Sequence, residues 1–169
     1  SGRSELKTLT SIDRNLSNQA NTLTKTSYSL LYINELLIKL LPKDAQQEDL
    51  FNLYEQFLKK VNNDSNLELT LRHFELDLLD MLGYGFDYDS EIDNQKPIEI
   101  NSSYSFVSQR GFRKSNNSNF LGKDILSLKN RNLEEVPLKY LKEITTKAIN
   151  SCLDGRDLTS RKIFRTIKQ

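Results

Sequence analysis

The chain has 169 residues with 24 basic and 23 acidic side chains, one cysteine and one histidine, long enough to bury one substantial core without a second large domain. Its formal charge of +1 argues against nucleic-acid binding through bulk charge and leaves only local patches. A lone cysteine, Cys152, makes no internal disulfide or all-cysteine zinc site, which points to a reducing, cytoplasmic setting, and no apolar run approaches the roughly 20 residues that cross a bilayer.

Residues 3–12, RSELKTLTSI, alternate with β-tolerant threonines and read as one strand. A single strand is not stable by itself, so this one needs partners that nearby sequence does not supply. Leu16 to Leu41 is the most apolar part of the chain, and SLLYINELLIKLL reads as a helix buried on most sides, with Glu35 and Lys39 forming an i,i+4 pair. Pro42 ends it. In EDLFNLYEQFLKKV, Leu50, Leu53, Tyr54, Phe57 and Val61 keep helical spacing, and Lys59 and Lys60 sit at the C-terminal end that favours cations. Asn62 to Asn66 is the turn into the next helix, and connections this short predict antiparallel neighbours.

The central element is Leu67 to Gly85. Leu67, Leu71, Phe74, Leu78 and Met81 form a stripe at helical spacing, widened by Leu69, Leu76, Leu79 and Leu82, so the helix belongs in the middle of a packing, with Gly83 and Gly85 as its stop. Arg72 interrupts the apolar pattern, with Glu68 four residues before it and Glu75 three after. It reads either as half of an intrahelical ion pair or as an anion receptor at the edge of an apolar groove. His73 has Asp77 four residues on and reads as a surface histidine beside an acid.

Beyond Gly85, Asp87, Asp89, Glu91, Asp93 and Glu99 stand against only Lys96. This alternation lacks the glycine and terminal glutamate of a calcium loop, so a solvated loop is expected and no metal. SYSFVSQRGF (103–112) reads as a short hairpin with Gly111 at a turn or bulge, Arg113 to Asn119 as a polar loop, and Lys123 to Leu128 as a short helix. Pro137 opens a helix with Leu138, Leu141, Ile144, Ala148 and Cys152 on its buried face, which makes Cys152 a packing residue rather than a reactive thiol. Gly155 caps that helix. The last helix, Leu158 to Lys168, sets Ile163, Phe164 and Ile167 on one side and Arg161, Arg165 and Lys168 on another. With Arg156 and Lys162 these form a basic patch, which either balances a helix dipole or binds phosphate.

Four stretches, YINELLIKLLP (32–42), LFNLYEQFLKKV (50–61), LRHFELDLLDMLGYG (71–85) and LDGRDLTSRKIF (153–164), resemble in order and spacing the DNA repair protein family RecO. GRSELKTLTSID (2–13) resembles the end of that family's N-terminal OB-fold and its junction with the helical domain. The resemblance implies a mainly α fold: a helical bundle with a small β-hairpin and loop insertion, and a short N-terminal strand left over from an OB-fold. Its expected parts are 1–13 as the end of the OB-fold and linker, 14–85 as helical domain, 86–136 as acidic loop and β insertion, and 137–169 as helices completing the bundle. Many members carry a zinc-binding cysteine cluster after the GYG-like turn. Tyr88 to Gln95 has none, so the chain looks like the zinc-free branch.

What the resemblance implies is a recombination mediator, not an enzyme. It would bind single-stranded DNA and the acidic, phenylalanine-ended tail of single-stranded-DNA-binding protein, promote annealing and, with RecR, help load RecA. Such a tail needs a cation beside an apolar pocket, and Arg72 with Leu71, Leu36 and Leu37 has that chemistry. For DNA the expected residues are Arg156, Arg161, Lys162, Arg165 and Lys168, with Arg110, Arg113 and Lys114 as a second set. Without the family, the residues support a helical domain with local charge asymmetry, for which a protein-binding adaptor without DNA affinity is the alternative. No cluster of ligands, and no nucleophile with its base, suggests catalysis.

Overall fold

A computed structural model describes residues 25–41, 48–61, 66–118 and 120–167, with side chains to residue 163. The expected N-terminal strand, the start of the first helix, Pro42 and most of the 62–66 turn lie outside the described residues. Among the described residues six α-helices carry the fold: α1 (Lys25–Leu40), α2 (Glu48–Val61), α3 (Leu67–Met81), α4 (Gly122–Lys129), α5 (Leu138–Leu153) and α6 (Thr159–Ile167). Between α3 and α4 the strands β1 (Ser103–Val107), β2 (Gly111–Lys114) and β3 (Phe120–Leu121) form an antiparallel sheet in the order β2-β1-β3. The architecture is thus mainly α with a small β insertion, as the sequence implies.

Helix α3 is central, packed between α2 and α5, while α1 lies against α5 and α6. Asn66 caps α3 by accepting the Leu69 N–H at 3.3 Å. The buried face of α3 is not the leucine stripe alone. Phe74, Leu76, Leu78 and Leu79 are inside together with Thr70, Arg72 and Glu75, whereas Met81 is 46 % exposed. The helix is rotated toward its polar residues because α1 and α5 offer partners for them, described below. Nor is α1 buried on most sides, since Leu31 is 46 % and Ile38 80 % exposed. Its inner face is Ser29, Ile33 and Leu36, and it meets α2 through Tyr54, whose hydroxyl donates to Asn34 Oδ1 at 2.7 Å.

The hairpin pairs Tyr104 with Lys114 and Phe106 with Phe112. At its turn Gly111 has φ +107°, and a Cβ there would lie 3.0 Å from the Asp87 carbonyl oxygen, so only glycine fits without a shift. Arg113 and Lys114, expected in a polar loop, continue β2, and the two-residue β3, not expected, closes the other edge by pairing Tyr104 with Phe120. Phe112 is fully buried among Phe86, Tyr88, Phe106 and Phe120, with centroids 5.5–6.5 Å away.

The acidic segment is tied to this sheet at a few points, while most of its side chains stay exposed, as expected of a solvated loop. Asp87 accepts the Asp89 N–H at 2.7 Å and the Ser90 N–H at 3.3 Å, Glu91 is buried, and single bridges join Ser90 to Pro97 and Glu91 to Phe112. Its remaining carboxylates reach cations elsewhere: Asp89 to Lys129 at 2.5 Å, Asp93 to Arg113 at 2.9 Å and Glu99 to Lys114 at 2.6 Å. Cys152 is buried on α5, and burial pushes its thiol up to about 11, consistent with a packing role. Among the described residues no helix is long and apolar enough to cross a membrane, and no group of side chains has the makings of a metal site.

Candidate functional site

Two features stand out where α1, α3, α5 and α6 meet. One is a polar chain through the core. Arg72 Nη1 lies 2.8 Å from Glu75 Oε2 and donates to Thr145 Oγ1 on α5 at 2.8 Å. Tyr32 on α1 donates to the other Glu75 oxygen at 2.6 Å, and Arg161 on α6 donates to the Tyr32 hydroxyl at 3.2 Å and to Asn150 Oδ1 at 2.6 Å. The Arg161 guanidinium also lies over the Tyr32 ring, 5.4 Å from its centroid. Burial and the neighbouring Glu75 carboxylate push the Tyr32 hydroxyl far above its ordinary value, so it stays a donor at every physiological pH.

The intrahelical reading of Arg72 is therefore the one the geometry displays, with the difference that the pair is buried: Arg72 is 8 % exposed and Glu75 fully enclosed. Of the residues grouped with Arg72 at sequence level, Leu36 is also inside, while Leu37 and Leu71 are half-buried at the margin of the core. The four do not form an open groove, because the helices on either side close over the guanidinium. Arg72 Nε nonetheless has no hydrogen-bond partner among the described residues.

The second feature is the attachment of α6. Its first N–H groups have no partner within the helix, and Glu35 on α1 supplies one: its carboxylate accepts the N–H groups of Thr159 and Ser160 at 2.8 Å each and the Ser160 hydroxyl at 2.6 Å. Lys39 holds Glu35 at 3.0 Å and donates to the Asp157 carbonyl. Burial alone would raise the Glu35 carboxyl, but the bonds from Ser160, Thr159 and Lys39 hold it down to about 2. A carboxyl lowered on folding adds stability above its unfolded value of about 4.3 and loses it as pH falls toward the folded value. Wild type should therefore exceed Glu35→Gln by about 1–2 kcal/mol near neutrality, after allowance for partial solvent screening. More than half of that difference should be gone by pH about 3. Thermal unfolding of both proteins across this range checks it, and a difference that is constant with pH would show that the carboxylate charge is not what caps α6.

The expected DNA residues divide between two places. Around the α5–α6 turn, Arg156 is exposed and its Nε donates to the Leu153 carbonyl at 2.9 Å. Arg161 is half-buried with the neutral partners already named, whereas Lys162 is ion-paired with Asp157 at 2.6 Å. The Arg165 side chain and Lys168 lie outside the described residues. On the hairpin, Arg113 and Lys114 are matched by Asp93 and Glu99, and only Arg110, exposed in the turn, lacks a carboxylate partner among the described residues. The hairpin set is thus largely neutralised by the acidic segment, a pairing across 15 to 20 residues that composition does not reveal.

Two further residues escaped sequence reasoning. Arg131, after α4, binds both Asp77 (3.0 Å) and Asp80 of α3 and the Tyr88 hydroxyl (3.3 Å), so Asp77 is bonded to Arg131 and acts on His73 through its charge. Burial lowers the His73 value, against the pull of Glu134 and Asp77. The other is Tyr140 on α5, half-buried against Phe120 with centroids 5.1 Å apart and the Lys139 ammonium 4.6 Å from its ring centre.

Comparison with known proteins agrees with this architecture. A family model described as "Recombination protein O C terminal" matches residues 22–156. Proteins named DNA repair protein RecO are similar over almost the whole chain. The one from Pectobacterium atrosepticum is 37% identical over 98% of this chain and 69% of its own length. Those from Pseudoalteromonas atlantica and Haemophilus influenzae are both 32% identical, over 98% and 96% of this chain and 70% of their own lengths.

Proposed function

The chain belongs to the RecO family of DNA repair proteins, and from that premise we infer that it binds single-stranded DNA and the tail of single-stranded-DNA-binding protein as a recombination mediator. Annealing of complementary strands and, with RecR, loading of RecA are the activities this reading carries with it. No bond-making chemistry is part of it. The parts 14–85 and 137–169 then act together as the helical domain, with 86–136 as an insertion.

For DNA, the supporting observation is the unequal state of the cations. Arg156 and Arg161 spend their hydrogen bonds on neutral oxygens, so their charge is available to phosphate, whereas Lys162, Arg113 and Lys114 already face carboxylates. Arg156 and Arg161 are accordingly the principal pair, Arg165 of α6 and Lys168 remain candidates from the sequence, and Arg110 is the remaining hairpin contact. A labelled oligothymidylate titrated at several salt concentrations tests this. Arg156→Gln should make the salt dependence shallower by about 0.7 in log–log slope, the value for one lost phosphate contact on a single strand. An unchanged slope would remove Arg156 from the interface.

For the acidic tail, the support is the uncommitted Nε of Arg72. A carboxylate that reached it would find an unspent donor next to Leu71 and the helix that carries Leu36 and Leu37. Reaching it requires the enclosing side chains to move. An adaptor that binds proteins without DNA would share this tail site and show no salt-sensitive oligonucleotide affinity.

A further inference from the structure

Away from α6, the sheet and α5 enclose a groove of about 570 Å³, within the size range of ligand-binding clefts. Its floor is aromatic, from Phe106, Phe120 and Tyr140, and its rim carries Lys139, Asn117 and Ser118. We propose that this groove receives an unpaired nucleobase of single-stranded DNA, stacked against Tyr140, with Lys139 on the adjoining phosphate. The proposal rests on the DNA-binding reading above and gives the strand a second point of contact, on the opposite end of α5 from Arg156.

The chemistry favours a base over other occupants. Phe106 and Phe120 are buried and fixed in the core, while Tyr140 is half-buried and presents part of its ring at the surface. Ring faces stack on any base, which suits a protein that handles DNA without regard to sequence. The Lys139 ammonium lies over the Tyr140 ring, 4.6 Å from its centre, and has no carboxylate partner among the described residues, so a base that stacks on that face displaces the ammonium toward the phosphate the base carries. The Asn117 carboxamide is exposed and has no hydrogen-bond partner among the described residues. Ser118 Oγ accepts the Phe120 N–H at 3.2 Å and, among the described residues, has its own proton left to donate. Both can meet the edge of a base. An acidic peptide, which carries several carboxylates, fits less well than a single phosphate, because Lys139 is the one cation among the lining residues and Glu143 stands with it. The Glu143 Oε1 is 2.6 Å from Lys147, so that pair contributes no net positive charge.

The test uses the 169-residue chain and a fluorescein-labelled oligothymidylate, read by anisotropy with thermal unfolding as the folding control. Tyr140→Phe should bind within about two-fold of wild type. Tyr140→Ala should weaken binding between about 5-fold and about 150-fold, the equivalent of one lost base stack, without changing the salt slope. Lys139→Gln should make that slope shallower by about 0.7. Because Tyr140→Ala also removes packing on Phe120, Asn117→Asp provides a second probe on an exposed loop, where the added charge should repel the strand and lower affinity. If wild type binds and Arg156→Gln alters the slope, but Tyr140→Ala and Asn117→Asp both bind like wild type, the groove is not a base site and the DNA reading stands. If wild type binds no oligonucleotide, both fall. Loss of affinity for an acidic, phenylalanine-ended peptide in Asn117→Asp, with oligonucleotide affinity unchanged, would give the groove to a peptide and overturn the proposal.

Discussion

Arg72→Ala should destabilise the protein by about 3–5 kcal/mol, the cost of stranding one member of a buried ion pair. Glu75 is fully enclosed and has Arg72 and Tyr32 as its partners. Without Arg72, the carboxylate keeps only the Tyr32 hydroxyl in a site that water does not reach, and Thr145 Oγ1 loses its donor. Against a total stability of about 5–15 kcal/mol for a domain, this is a large fraction. Replacing both charges, as Arg72→Met with Glu75→Leu, should recover part of the loss, because the desolvation cost disappears with the pair and the volume is kept, although the Tyr32 hydroxyl loses its acceptor. Urea unfolding midpoints with unchanged slopes would read this out. A loss in the single variant below about 1 kcal/mol would mean that the pair is solvated. Arg72→Lys addresses the tail reading separately. It keeps the charge but not the planar fork, so an Arg72-held carboxylate should lose at least about tenfold in affinity. Equal affinity in a folded Arg72→Lys protein would remove Arg72 from tail binding.

These residues also show where reading the chain in one dimension stops working. The existence of α3, α5 and the hairpin follows from apolar spacing and from Gly111, which are local signals. The rotation of α3 does not, because a wheel counts leucines and places Met81 inside. What turns the helix is a donor 43 residues before Glu75 and a hydroxyl 73 residues after Arg72, and neither is marked as a partner in the sequence. The Glu35–Lys39 pair is legible as an i,i+4 spacing, and the structure forms it. That the same carboxylate caps α6, across 124 and 125 residues, is not. The clearest available hint was Thr159–Ser160 at the start of a helix with no acid in its first turn. For the basic residues, sequence supplies the candidates but not their availability. Arg113 and Lys114 look free in a polar stretch until the fold brings Asp93 and Glu99 to them, whereas Arg156 keeps its charge because its nearest acceptor is a backbone carbonyl.

Phe112→Ala is expected to cost about 3–5 kcal/mol, the range for emptying a buried phenylalanine site, and its effect should be confined to one part of the molecule. Phe112 contacts Phe86 and Tyr88 from the segment after α3, Phe106 from β1 and Phe120 from β3. Its carbonyl accepts the Ile92 N–H at 2.9 Å, which fastens the acidic segment to the sheet. Removing the ring therefore loosens the acidic segment, both sheet edges and the floor of the groove together. The pairs α2–α3 and α3–α5 do not pass through it. Amide hydrogen exchange should show lost protection across residues 86–121 while the α3 amides stay protected until global unfolding. Oligonucleotide affinity should fall with it, since Phe106 and Phe120 support the surface on which Tyr140 sits, and Phe112→Leu, which keeps most of the volume, should restore much of both. Uniform loss of protection across α3 and the sheet would show instead that the insertion and the helices unfold as one unit, and would make the β insertion part of the domain's stability rather than a platform carried on it.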